Sequence, residues 1–159
     1  MSVIASVTAE ARLAELGIEL PEAPAPFGAY VPAVQSGALL FLSGMLPTVG
    51  HDADFVGRLG AELDVYQVRS AARIAALNAL AVARRHLGTL DRVTKVVRLG
   101  VSIATHGDVR DQSRVADGAS TLLRDVFGDD QLASRLIVGV ASLPLGVPVA
   151  LEVILEVRL

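Results

Sequence analysis

Residues 134–157 read SRLIVGVASLPLGVPVALEVILEV: a single cation, Arg135, and then no charge until Glu152. From Val147 every odd position is aliphatic: Val147, Val149, Leu151, Val153, Leu155, Val157 and Leu159. Successive side chains of a strand point to opposite faces, so this period of two sets one face of a strand in the core. The even positions, Pro148, Ala150, Glu152, Ile154, Glu156 and Arg158, make a second face of mixed polarity. Pro144, Leu145 and Gly146 divide the run into two strands, 135–143 and 147–157. An arginine that opens so apolar a strand has two uses. It can reach water past the sheet edge, or it can sit at the mouth of an apolar cleft, where its planar fork of donors suits a carboxylate.

Working outward, RVTKVVRLGVSIA at 92–104 alternates, with Val93, Val97, Leu99, Val101 and Ile103 on one face and Lys95 as the exception. A helix is predicted on either side of it. Over 64–87, Val68, Ala72, Ala75, Ala79, Ala83 and Leu87 recur three or four apart, and Gly88 stands where a C-terminal cap belongs. Over 108–127, Val115, Ala119, Leu122, Leu123 and Val126 form the apolar side, closed by Gly128. Further upstream, AYVPAVQSGALLFLSGML reads as strands 31–34 and 38–42 about a Ser36–Gly37 turn, followed by a glycine-containing loop over 47–63. VTAEARLAEL makes a short helix at about 7–17, and the stiff PEAPAPFG connector follows it. The order is α-ββ-α-β-α-ββ in one domain, 1–159. It is an α+β chain with a mixed sheet and both main helices on one face. The other sheet face, with Ala150 and Ile154 among glutamates, calls for solvent or a partner subunit.

Composition narrows the partners. Hydrophobic residues make up 52% of the chain and aromatics 4%, so the core is built from aliphatics, and part of it is expected between subunits. A net charge of −3, with Arg84–Arg85 the only adjacent basic pair, argues against nucleic acid. There is no cysteine for disulfide or thiolate chemistry. No basic start leads into an apolar run, and no apolar run is long enough for a bilayer. No membrane association and a cytoplasmic location are therefore the expectation. His51, His86 and His106 are scattered without metal-ligand spacing, and the HDAD at 51–54 lacks the pattern of a calcium loop. With no GxGxxG, Walker or GxSxG motif either, no metal and no cofactor is expected.

ASRLIVGVASLPLGVPVALEV resembles the C-terminal signature of the Rid superfamily (YjgF-like reactive-intermediate deaminases, also called endoribonuclease L-PSP-like). FGAYVPAVQSGALLFLSG resembles the family's opening, and LDRVTKVVRLGVSIA its central strand. The resemblance covers residues 26–157. The added N-terminal helix and the PLGVPV turn are similar to a longer subgroup of less defined function. The resemblance implies a chorismate-mutase-like fold and a homotrimer with clefts between subunits. It also implies cofactor-free hydrolysis of enamine or imine intermediates to a keto acid and ammonia. By position, Arg135 takes the catalytic and carboxylate-binding arginine's place. Tyr30 takes that of the cleft tyrosine, and Ser43 and Gly44 that of a Ser-Gly offering backbone contacts. Ile137 takes the place of a residue contributing main-chain groups, and Asp117 that of a helix asparagine. Glu152 matches a second family glutamate. The glutamate credited with holding the attacking water falls on Ala150, and Met45 replaces a common glutamine. A methyl cannot orient or deprotonate water. Two readings stay open on this ground: a deaminase anchored by Arg135, and a non-catalytic protein that binds small carboxylates. Ribonuclease action, also attached to the family, ranks last for so acidic a chain.

Overall fold

The computed structural model describes residues 6–159. Its elements in chain order are α1 (Ala9–Glu15), β1 (Ala33–Ser36), β2 (Leu39–Leu42), β3 (Thr48–Val49), β4 (Asp52–Ala53), α2 (Val65–Leu87), β5 (Val93–Ala104), α3 (Gln112–Phe127), β6 (Ser134–Val140) and β7 (Val149–Val157). Five strands form one sheet in the order β1-β2-β7-β5-β6. Its pairings are antiparallel except for β5 with β6, which run parallel. Helices α2 and α3 supply the apolar cover of one sheet face, giving the α+β, chorismate-mutase-like arrangement expected from the sequence.

Strand β7 follows its period of two along its whole length. Val149, Leu151, Val153, Leu155 and Val157 are buried, while Glu152 and Glu156 are exposed. On α2, Val68, Ala72, Ala75, Ala79, Ala83 and Leu87 are all buried, as are Val115, Ala119, Leu122, Leu123 and Val126 on α3. Asp64 caps α2 in a reciprocal box with Gln67, and Gly88 ends it at φ +84°, a left-handed conformation that favours glycine. Small side chains let the two helices meet closely. A Cβ built on Gly118 of α3 would lie 2.2 Å from the Arg69 carbonyl oxygen of α2.

The element boundaries differ from the sequence reading where the chain lacks ladder partners. Strand β1 starts at Ala33 rather than 31, because Pro32 has no N–H to pair and its carbonyl instead accepts the Ser43 N–H. The tight turn accordingly sits at Gly37–Ala38, not at Ser36–Gly37. The 47–63 loop contains the small β3–β4 hairpin. Helix α3 starts at Gln112, not 108, because the chain leaving β5 is first tied across to the 59–60 loop: the His106 N–H donates to the Leu59 carbonyl. Strand β6 stops at Val140, the last residue with a partner on β5. In β5 the alternation itself slips. Register shifts between Val93 and Lys95 and between Val96 and Arg98 put Val96 in the core and leave Lys95 exposed. The lysine that broke the pattern marks a bulge.

The N-terminal helix is clamped by one carboxylate. Glu10 receives two hydrogen bonds from the Arg84 guanidinium, at 3.1 and 2.7 Å, and one from the Leu90 N–H at 3.0 Å. Partial burial works against its charge, but these hydrogen bonds and the Arg84 charge outweigh it and hold the carboxyl below its ordinary 4.5. A lowered carboxyl pKa contributes stability that is present above the unfolded value and lost as pH falls through the folded one. Acidification from neutral pH to below 4.5 is therefore expected to lower the urea midpoint of the wild type more than that of Glu10→Gln. Equal losses in both proteins would show that the clamp contributes nothing.

The sheet face away from the helices is open and unusually apolar. Val34, Phe41, Leu136 and Val138 are 53%, 40%, 51% and 41% exposed, across both ends of the sheet. Exposed apolar side chains of this size on one sheet face, with the Arg98–Glu152 pair between them, suit an interaction surface.

Candidate functional site

The residues singled out by sequence fall into two groups, and the fold holds them apart. Tyr30, Ser43, Gly44 and Ala150 line one crevice of about 450 Å³, together with Phe27 and Leu145. Its walls are pinned from several sides. The Phe27 N–H donates to the Tyr30 hydroxyl at 3.0 Å, which fixes the ring across the connector. Ser43 donates its hydroxyl to the Val31 carbonyl at 2.6 Å and its N–H to that of Pro32. Buried Asn78, on α2, donates to the carbonyls of both Leu46 and Thr48 at 2.9 Å, so the chain after Gly44 cannot swing away. The Met45 side chain is buried, and its main chain bridges to Leu151 by two hydrogen bonds.

The crevice also contains the chain's only left-handed residue other than glycine among those described. Leu145 has φ +60° and is half exposed. A leucine there costs about 1 kcal/mol that glycine would avoid. The turn is held in that shape by the Gly146 N–H on the Leu143 carbonyl, and by the Gly57 N–H on the Gly146 carbonyl.

Arg135 lies elsewhere. It is the second residue of β6, the edge strand at the opposite end of the sheet from β1. Its register partner is Leu99, whose side chain is buried under the helices, so Arg135 leaves the helix-covered face. There its Nη1 donates to Asp117 Oδ1 at 2.7 Å and to Ser120 Oγ at 3.0 Å, both on α3. The side chain is 27% exposed and that of Asp117 47%. Asp117, which the resemblance places at a helix asparagine's position, is the arginine's partner. Ser120 was not anticipated, although its spacing of three from Asp117 sets both on one helix face. Ile137, two residues past Arg135, shares that face and packs on the core. As an edge strand, β6 leaves a row of its main-chain groups without ladder partners.

Glu152 joins neither group. It sits on the open sheet face opposite Gly100, with Arg98 Nε 3.2 Å from its carboxylate, and it does not line the crevice. Of the histidines, His86 pairs with the Gln35 side chain and His51 meets the Phe27 ring edge-on. Among the described residues, no group of three or more His, Cys, Asp or Glu could hold a metal ion, and no helix is long and apolar enough to cross a membrane.

Within one chain the two groups cannot meet. Arg135 and Ala150 leave opposite faces of the sheet. The Arg135 strand is also separated from β2, next to the Ser43–Gly44 wall, by β5 and β7, which places it about 14 Å away.

The model of the family described as "YjgF/chorismate mutase-like, putative endoribonuclease" matches residues 10–156. Protein TCP17 of Trypanosoma cruzi is 42% identical over 159 residues, which is 99% of each chain. A crystal structure from Shewanella oneidensis MR-1 superposes with a TM-score of 0.89 at 33% identity, covering 94% of this chain and 99% of that one. Atu1372 of Agrobacterium tumefaciens, a protein of unknown function, superposes at 0.85 with 35% identity, covering 96% and 93%. With its sheet order, its paired helices and a family match along nearly its whole length, this chain belongs to the YjgF/chorismate mutase-like family.

Proposed function

We propose that this protein assembles as a homotrimer and binds small carboxylates in clefts between its subunits, with Arg135 as the anchor of the carboxylate. The observation that carries this reading is the separation just described. Arg135 leaves one face at one end of the sheet, and the Tyr30–Ser43–Gly44 crevice lies at the other end, so only a neighbouring chain can bring them together. The open apolar sheet face supplies a surface on which such a neighbour would pack. In the assembled cleft, the unoccupied edge of the guanidinium would take the ligand carboxylate in two parallel hydrogen bonds. The backbone beside Ser43 and Gly44, and the Tyr30 ring, would enclose the rest of the molecule.

Binding without turnover is favoured over hydrolysis by Ala150. The position on the crevice wall that would hold a water-activating carboxylate carries a methyl group, and the nearest acid along β7, Glu152, is engaged by Arg98. Ribonuclease action is disfavoured by the net charge of −3.

Three measurements test the reading. Sedimentation equilibrium is expected to give a trimer, and a monomer would end the proposal. Titration calorimetry with 2-ketobutyrate is expected to show binding that weakens at least about tenfold in Arg135→Ala, the loss of a charge-assisted hydrogen bond. Affinity indifferent to that substitution would remove Arg135 from the site. Ammonia release from freshly generated 2-iminobutyrate is expected to match buffer. A faster rate, abolished in Arg135→Ala, would put the hydrolytic reading first.

A further inference from the structure

We infer that this protein carries a second small-molecule site, between the proline-rich connector, α2 and the β3–β4 hairpin, that takes an organic primary ammonium with an apolar body. The site is separate from the carboxylate cleft and stands or falls without it.

The sequence sets up the hollow. Pro21, Pro24 and Pro26 each fix φ and lack an N–H, so the connector can neither continue a helix nor fill a ladder. Among the described residues, no main-chain group from 19 to 26 is hydrogen-bonded to another element. The connector rests on the core through Leu20 and Ala23, and a cavity of about 650 Å³ stays open beside it. That volume falls in the range of small-molecule sites, roughly 300–1,000 Å³. Ile74 and Leu77 of α2, with Leu20 and Val49, make its apolar walls. It shares no lining residue with the Tyr30 crevice.

Two polar side chains are buried among the described residues, Thr48 at 3% and Asn78 at 2% exposure, and both line this cavity. Asn78 spends both amide hydrogens on the Leu46 and Thr48 carbonyls, which fixes the amide and leaves its oxygen an unused acceptor. Gln131 Oε1 is the one side-chain polar atom of the described residues that is sealed from solvent without a partner. The Asn78 oxygen and the Thr48 hydroxyl, which have no partner in the protein either, therefore open onto free space, and this cavity is what both residues line. Glu19 and Glu22 line its exposed side, and no Lys or Arg does. An anion would meet two carboxylates and no compensating cation. No group of three or more His, Cys, Asp or Glu among the described residues could hold a metal ion, so the charge complement is an organic cation. An ammonium has three donors and no acceptor, which suits the Asn78 oxygen with the Thr48 hydroxyl close by, while the apolar body lies against the aliphatic walls. The two glutamates act through their field, gathering cations at the opening without needing contact. Asn78 is pinned before binding, so little entropy is lost in presenting its oxygen.

Titration calorimetry on the full-length protein compares 2-phenylethylamine with 2-phenylethanol, the same skeleton without the charge. The amine is expected to bind roughly tenfold more tightly, because a charge-assisted hydrogen bond is about twice as strong as a neutral one. In the double variant Glu19→Gln/Glu22→Gln the amine is expected to weaken about threefold at low salt and by less at high salt, with the alcohol unchanged. Heteronuclear NMR locates the ligand: the amine is expected to shift the Asn78 side-chain amide signals and the main-chain amides of Thr48, Val49 and Gly50. No binding of either compound at millimolar concentration, equal affinities for the two, or an amine preference that the double variant leaves unchanged would overturn the inference. So would shifts centred on Asp117 and Arg135 instead of Asn78. The wild-type comparison and the shift map decide the question by themselves if the double variant does not fold.

Discussion

Replacing Gly118 by alanine is expected to destabilise the protein by about 2 kcal/mol, although alanine is the better helix former. In an exposed helix the change would gain about 1 kcal/mol. At this position the new methyl carbon would stand 2.2 Å from the Arg69 carbonyl oxygen and 3.0 Å from its Cγ. The oxygen belongs to the backbone of a long helix and cannot rotate aside, so α2 and α3 must part. Overpacking of a well-filled interface costs about 1–3 kcal/mol, and this contact belongs at the upper end. Parting the helices loosens the alanine-lined seam on both sides and shifts Asp117 and Ser120 relative to Arg135. The urea midpoint gives the stability, and the 2-ketobutyrate titration gives the effect on the site. An unchanged or raised midpoint would mean that the two helices do not touch there.

The second large effect is a gain. Ala150→Glu is expected to raise ammonia release from 2-iminobutyrate at least about 10²-fold above the wild-type background, the lower end of what a positioned acid–base group contributes. Ala150 is half-buried on the crevice wall with Tyr30, Ser43 and Gly44, and its side chain leaves the open face of β7. A carboxylate two bonds beyond that methyl would reach into the crevice, where a water could be held against a bound imine carbon. Ala150→Gln supplies the same bulk without a base and is expected to stay at background. The gain should also vanish when Arg135→Ala is added, because the substrate is then no longer anchored. A glutamate variant as inactive as the glutamine one would show that the attacking water is not placed from this strand.

Much of the architecture was legible residue by residue, because burial in this chain is governed by simple periods. The odd positions of β7 and the three-four spacing of α2 mark the faces that enter the core, and Asn78 is the one buried polar side chain on that helix. Strand β5 was legible only in part. Lys95 spoiled the alternation, and the resolution, a pair of bulges that turns Val96 inward, depends on which strands lie on either side. The start of β1 and the end of β6 depended in the same way on the presence or lack of a hydrogen-bonding neighbour. The candidate site followed this division. Arg135, Tyr30, Ser43 and Gly44 were nameable from motif resemblance. Ser120 and Asn78 were not, because a serine and an asparagine within helices carry no signal until the elements they touch are known. Leu145 gave no sign of its left-handed backbone, which is imposed by the hydrogen bonds of the turn around it.

By itself the sequence determined the fold class, the family, the helix-covered sheet face and the presence of a methyl side chain at position 150, since each is a matter of local pattern or identity at a position. Only the tertiary structure decided that Arg135 is bound to Asp117 and that Arg135 and Ala150 leave opposite faces of the sheet. Strand direction, register and packing bring distant residues to the same place or keep them apart, and no one-dimensional period encodes that distance.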